Sequence, residues 1–192
     1  MSYKSLVTAG SIAIFSAFIA LPLVYLTFRL ESEADLTALT LQTILQVFGI
    51  VLFVVITRYM KKLLNVQFAF HDADKQIDLM ITANVVAGVL VLAGLLFSPL
   101  KETLGIAAMV VMVFLGLVQI QFGYRLLKMQ NNLGGMLNPF CYVNILTGLC
   151  VASVVLIIVG VVVSAISDLM LGTIFFNSAK MLKSVEENGL DS

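Results

Sequence analysis

Long stretches without a single charged residue set the terms for this chain. Ser5 to Phe28 runs 24 residues with no Asp, Glu, Lys or Arg, and Leu36–Thr57, Leu79–Leu100 and Thr103–Tyr124 run 22 each. Each exceeds the roughly 20 residues that a helix needs to cross a hydrocarbon core. A fifth stretch, Met129 to Ser167, holds 39. A helix that long would measure about 60 Å, twice the thickness of the core, so it must fold back. Ser164-Ala165-Ile166-Ser167-Asp168 is its only polar break, and Ser167 or Asp168 would cap the helix that follows. The spacing predicts an all-α integral membrane protein with six spans, near 5–28, 36–60, 77–99, 103–127, 140–163 and 167–184. The sixth is the shortest, with a re-entrant or interfacial helix as its alternative. A short polar tail, 185–192, follows.

Composition agrees. Sixty per cent of the 192 residues are apolar and 11% charged, against roughly 45–50% and 25% in soluble domains. Eleven basic residues cancel eleven acidic ones, so no net field recruits nucleic acid. A disordered chain and a soluble enzyme are excluded on the same counts. The first stretch is too long for the core of a cleavable signal peptide and lacks a small-residue cleavage site before Arg29. Cys141 and Cys150 are nine residues apart, too far along one helix for a disulfide. They read as small buried residues.

Basic residues orient the spans. With the N-terminus inside, the inner segments hold Lys4, Arg58, Lys61, Lys62, Lys75, Arg125, Lys128, Lys180 and Lys183; the outer ones hold only Arg29 and Lys101. Nine against two places both termini in the cytoplasm of a plasma (inner) membrane protein.

The spans also repeat. Leu6-Val7-Thr8-Ala9, Met80-Ile81-Thr82-Ala83 and Ile145-Leu146-Thr147-Gly148 open the odd spans, with Ala13, Ala87 and Ala152 four residues further on. The even spans carry Val47-Phe48-Gly49, Phe114-Leu115-Gly116 and Met170-Leu171-Gly172, with Lys61, Lys128 and Lys183 about a dozen residues later. Three copies of a two-helix hairpin follow from this, over 5–60, 77–127 and 140–184. Helices in lipid associate where small residues let backbones approach. Ala9, Ala13, Ala17, Ala83, Ala87, Gly148 and Ala152 are therefore expected to pack against neighbours, with Gly49, Gly116 and Gly172 as matching flat spots. Span one has more small residues than one neighbour needs, and a homo-oligomer or membrane partner through it is expected.

Catalytic chemistry has little to work with. One histidine excludes His-rich metal sites within the chain, and no nucleophile, zinc or phosphate-loop motif occurs. His71-Asp72-Ala73-Asp74 reads as a solvated loop rather than a cation site. Neither an enzyme, a metal nor a cofactor is expected. No charged residue is expected at mid-bilayer depth, where pumps keep one. Gln42, Gln46, Asn84, Gln119 and Asn144 are the polar candidates, for hydrogen bonds between helices or for a polar pocket.

Leu171-Gly172-Thr173-Ile174-Phe175-Phe176-Asn177-Ser178-Ala179 is similar to the close of the last helix in the HdeD-like small membrane proteins, and Pro22 and Pro99 fall where that family's prolines tend to. The resemblance implies an inner-membrane protein linked to acid stress, with no established catalytic residues. The leading expectation is a non-catalytic structural, assembly or stress-related subunit acting through helix contacts. The alternative is a substrate-binding membrane subunit or small transporter for a neutral or weakly polar solute.

Overall fold

A computed structural model describes residues 1–31 and 35–188. Six α-helices follow one another: α1 Tyr3–Glu31, α2 Leu36–Gln67, α3 Asp74–Leu96, α4 Lys101–Leu126, α5 Leu137–Ala152 and α6 Ile157–Asn188. Single 3-10 turns at Ser98–Leu100 and Leu133–Gly135 lead into α4 and α5. Five of the helices are long and apolar enough to cross a membrane; α5, at 16 residues, is shorter. Every helix turns large apolar side chains outward, among them Phe18, Ile44, Val89, Val110, Leu149 and Ile158. An apolar surface on all sides does not suit water. Such helices are compatible with a multi-pass membrane protein.

Each helix packs on the next in the chain, and α1 closes back on α6 to complete a ring. Gly10 lies against Gly172 and Phe176, and Ser16 meets Asp168, so α1 and α6 run antiparallel with the chain ends together. At that end the ring is filled. Leu6, Leu63, Ile77, Phe122, Leu126, Cys141, Ile174 and Phe175, drawn from all six helices, are fully or almost fully buried in one core.

The fold-back of the long apolar stretch differs from the sequence expectation. It lies at Ser153–Leu156, not at Ser164–Asp168, and the fifth helix rather than the sixth is the short one. Ser164, Ser167 and Asp168 are interior residues of α6, so neither Ser167 nor Asp168 caps a helix. The physical reason is that the turn closes its own hydrogen bonds. Ser153 N–H donates to Leu149 O, Val154 N–H to Val151 O, Val155 N–H to Ser153 O and Ile157 N–H to Val154 O. Ser153 Oγ donates to Cys150 O and accepts the Leu156 N–H. With its amides satisfied internally, a turn can stay among apolar surroundings without charge, proline or glycine. Its strain sits at Val154, a β-branched residue at φ 59°.

Candidate functional site

Above the filled end the ring encloses a cavity of about 380 Å³. All six helices line it. Its faces follow helical spacing: Ser16, Ile19, Ala20, Leu23 and Thr27 on α1; Leu45, Gln46, Gly49, Leu52, Phe53 and Ile56 on α2; Val161, Ser164, Asp168 and Leu171 on α6. Met80 and Asn84 of α3, Gln119 of α4, and Phe140 and Asn144 of α5 complete the wall toward the chain ends.

Asp168 is the charged residue of this wall. Ser16 Oγ donates to its Oδ2 over 2.8 Å. Ser16 is the fourteenth of the 29 residues of α1, so the carboxyl lies at the middle of the bundle's height. Among the described residues no basic side chain forms an ion pair with it. This corrects the expectation that no span holds a charge at mid-depth. The polar break makes Asp168 a candidate cap at the start of the sixth span; with the turn at Ser153–Leu156, the same residue falls inside a helix.

Beside it runs a polar chain. Asn144, only 5% exposed, donates from Nδ2 to Phe140 O at 2.9 Å and to Ser167 Oγ at 3.1 Å. Gln119 Nε2 donates to Asn144 Oδ1 at 3.4 Å. Three helices are thereby tied at one level, and the amide of Asn144 is held in place by bonds of its own. Asn84 has a buried Oδ1 with no hydrogen-bond partner among the described residues. Of the polar candidates from the sequence, Gln46, Asn84, Gln119 and Asn144 line the cavity, whereas Gln42 is buried outside its wall. Asp168, Ser16, Ser164 and Ser167 had not been singled out as pocket residues. The signal was a lone acidic residue with Ser164 one helical turn before it and Ser167 beside it, in a stretch from Val154 to Ala179 that holds no other charged residue.

The small residues divide. A Cβ on Gly116 would stand 2.6 Å from both Gly148 O and Ala152 N, and one on Gly172 would stand 2.7 Å from Ile14 and 3.2 Å from Gly10 O. Only glycine fits at either seam. Ala9, Ala13, Ala17, Ala83 and Ala87 are buried, and Ala152 is half-buried beside Gly116. Gly49 is different: a Cβ there would meet nothing within 4 Å. It borders the cavity. The small face of α1 is used up inside the chain, and what this helix turns outward is bulky, including Phe15, Phe18, Leu21 and Tyr25.

Outside the cavity, at the chain-end side, Lys61 Nζ pairs with Asp78 at 2.7 Å, and Asn65 and His71 both approach Asp74 Oδ2, at 3.0 and 3.3 Å. Arg125 donates to Asp72 O. These tie the α2–α3 connection to the bundle. Exposed pairs of this kind contribute little stability. Among the described residues no three His, Cys, Asp or Glu side chains gather as a metal site would require. No family model matches the chain, and no curated protein or solved structure is significantly similar to it.

Proposed function

We propose that this chain is a membrane-embedded binding subunit or small carrier, and that its ring of helices holds a small solute rather than catalysing a reaction. The observation that carries the reading is a cavity of about 380 Å³, lined by all six helices and holding a carboxyl at mid-height. Its volume falls in the range of small-molecule sites, roughly 300–1,000 Å³. An ionisable residue at such depth is costly and marks a substrate or ion pathway by default. A purely structural or assembly role rests on the small-residue faces and the absence of a catalytic motif as well as on a lack of mid-membrane charge, and Asp168 weighs against the last of these.

The nine-to-two distribution of basic residues supports a plasma-membrane orientation with both termini in the cytoplasm. The filled end then faces the cytoplasm, and the cavity extends from mid-height toward the outer leaflet. Three similar hairpins, closed into a ring, account for this plan.

Cysteine accessibility tests the reading. In a background with Cys141 and Cys150 replaced by alanine, S164C is expected to react with a membrane-impermeant thiol reagent added outside intact cells, while I158C, which faces outward from the bundle, stays unlabelled. An S164C protein that is inert from both sides of the membrane would rule out a solute-accessible cavity. Labelling from the cytoplasmic side alone would reverse the orientation.

A further inference from the structure

We infer that the ligand of this cavity is a small organic cation, a protonated amine carried on an apolar body. The inference rests on the reading of the cavity as a solute site and adds the chemical class. A carboxylate withdrawn from water is tolerated only when something positive or hydrogen-bonding pairs with it. The protein supplies Asp168 with the Ser16 hydroxyl, at 2.8 Å, and among the described residues with no basic side chain. The amides of Asn144 and Gln119 are turned to other partners, Asn144 Nδ2 to Phe140 O and Ser167 Oγ and Gln119 Nε2 to Asn144 Oδ1. Among the described residues neither the Gln46 and Asn84 amides nor the Ser164 hydroxyl, which also line the cavity, bonds to Asp168. An ammonium group brings the missing charge and the missing donors together.

Size and lining decide between an organic and an inorganic cation. The cavity has room for roughly a dozen water-sized volumes, at about 380 Å³. A bare metal ion would fill a small part of it and needs about six oxygen ligands. The wall around Asp168 offers instead Ile19, Leu23, Leu52, Phe53 and Ile56, which suit a hydrocarbon or aromatic body. The polar end of such a ligand would lie at Asp168 and its apolar end along α1 and α2.

The test uses the full chain in lipid nanodiscs and radiolabelled 2-phenylethylamine in equilibrium dialysis, with empty nanodiscs subtracted. Saturable binding is expected, displaced by n-hexylamine but not by 2-phenylethanol or phenylacetate, which match its shape without the positive charge. D168N should weaken binding about 30-fold or more, whereas D168E, which keeps the charge, should retain the preference for the amine. S16A should change affinity by only a few-fold. If D168N binds the amine as tightly as the unmodified chain, or if 2-phenylethanol competes equally, the cationic class is overturned while the cavity stands as a solute site. Absence of saturable amine binding with S164C still reactive overturns the class alone. Absence of binding together with an inert S164C overturns the class and the functional reading it rests on.

Discussion

Gly116 in α4 and Gly49 in α2 each lie twelve residues before a lysine, yet they have opposite surroundings. Gly116 is pressed against Gly148 and Ala152 of α5, with no room for one more carbon. Gly49 faces space. The same contrast runs through the whole ring. The seams between α4 and α5 and between α6 and α1 are closed by glycines against backbone, but α2 has no buried residue between Gln42 and Ile56 and borders the cavity there. A small residue in a membrane helix thus has two uses: it brings a neighbour close, or it leaves a wall thin. Which use applies depends on whether the facing helix also offers a small face. Gly148 does so for Gly116; opposite Gly49 the corresponding position is not filled.

Substitutions can break or sharpen this contrast. The largest effect is expected at the closed seam. G116V should cost roughly 3 kcal/mol by overpacking α4 on α5, read as a fall in the thermal unfolding midpoint of the purified protein in detergent. Full tolerance would mean that the seam is not tight. Next comes Asn144, at the boundary between core and cavity. N144A leaves the Ser167 hydroxyl and the Gln119 amide without their shared partner and should cost about 2 kcal/mol in the same assay. A neutral outcome would mean that water replaces these bonds, and that the cavity reaches deeper than its wall suggests.

Relief of strain at the end of the tight seam should act in the other direction. V154G removes the β-branched side chain from a left-handed backbone and should stabilise by about 1 kcal/mol. Destabilisation would show that the half-buried valine side chain matters more than its backbone. The smallest change is expected at the open wall. G49A should raise stability by about 0.5 kcal/mol through helix propensity alone. A loss of more than about 1 kcal/mol there would erase the distinction between the two glycines.

The first four helices were legible in the sequence because charge marks the ends of their apolar stretches: Arg29, Lys75, Lys101 and Arg125 lie near helix termini, and Arg58 closes the uncharged part of α2, nine residues before its end at Gln67. The last two were not, because the turn between them is written in Ser153, Val154, Val155 and Leu156. Membrane turns are normally recognised by polar residues that water solvates, and this one is held by its own amides and one serine hydroxyl. Reading Ser164–Asp168 as the break then put Asp168 at a helix end, as a cap, rather than at mid-depth. One misplaced turn therefore cost the central residue of the candidate site. The amides were easier to mark: the depth of Gln46 and Gln119 along their spans turns them toward protein rather than lipid, and both line the cavity with Asn144. Their meeting around one cavity depends on ring closure between α1 and α6, which no local pattern encodes.

The short fifth helix has a consequence for the lipid. Sixteen residues rise about 24 Å, against a hydrocarbon core of roughly 30 Å. The turn that ends α5 carries Val155 at 89% exposure, with Leu156 also exposed. These side chains belong in acyl chains, not in headgroups. On this flank the leaflet must thin locally toward the turn, while the uncharged 22 residues of α2, Leu36–Thr57, rise about 33 Å and match the core. The bundle therefore presents two different hydrophobic lengths to one bilayer. Its elastic cost varies with acyl-chain length, and lipids of unequal length would sort around its circumference.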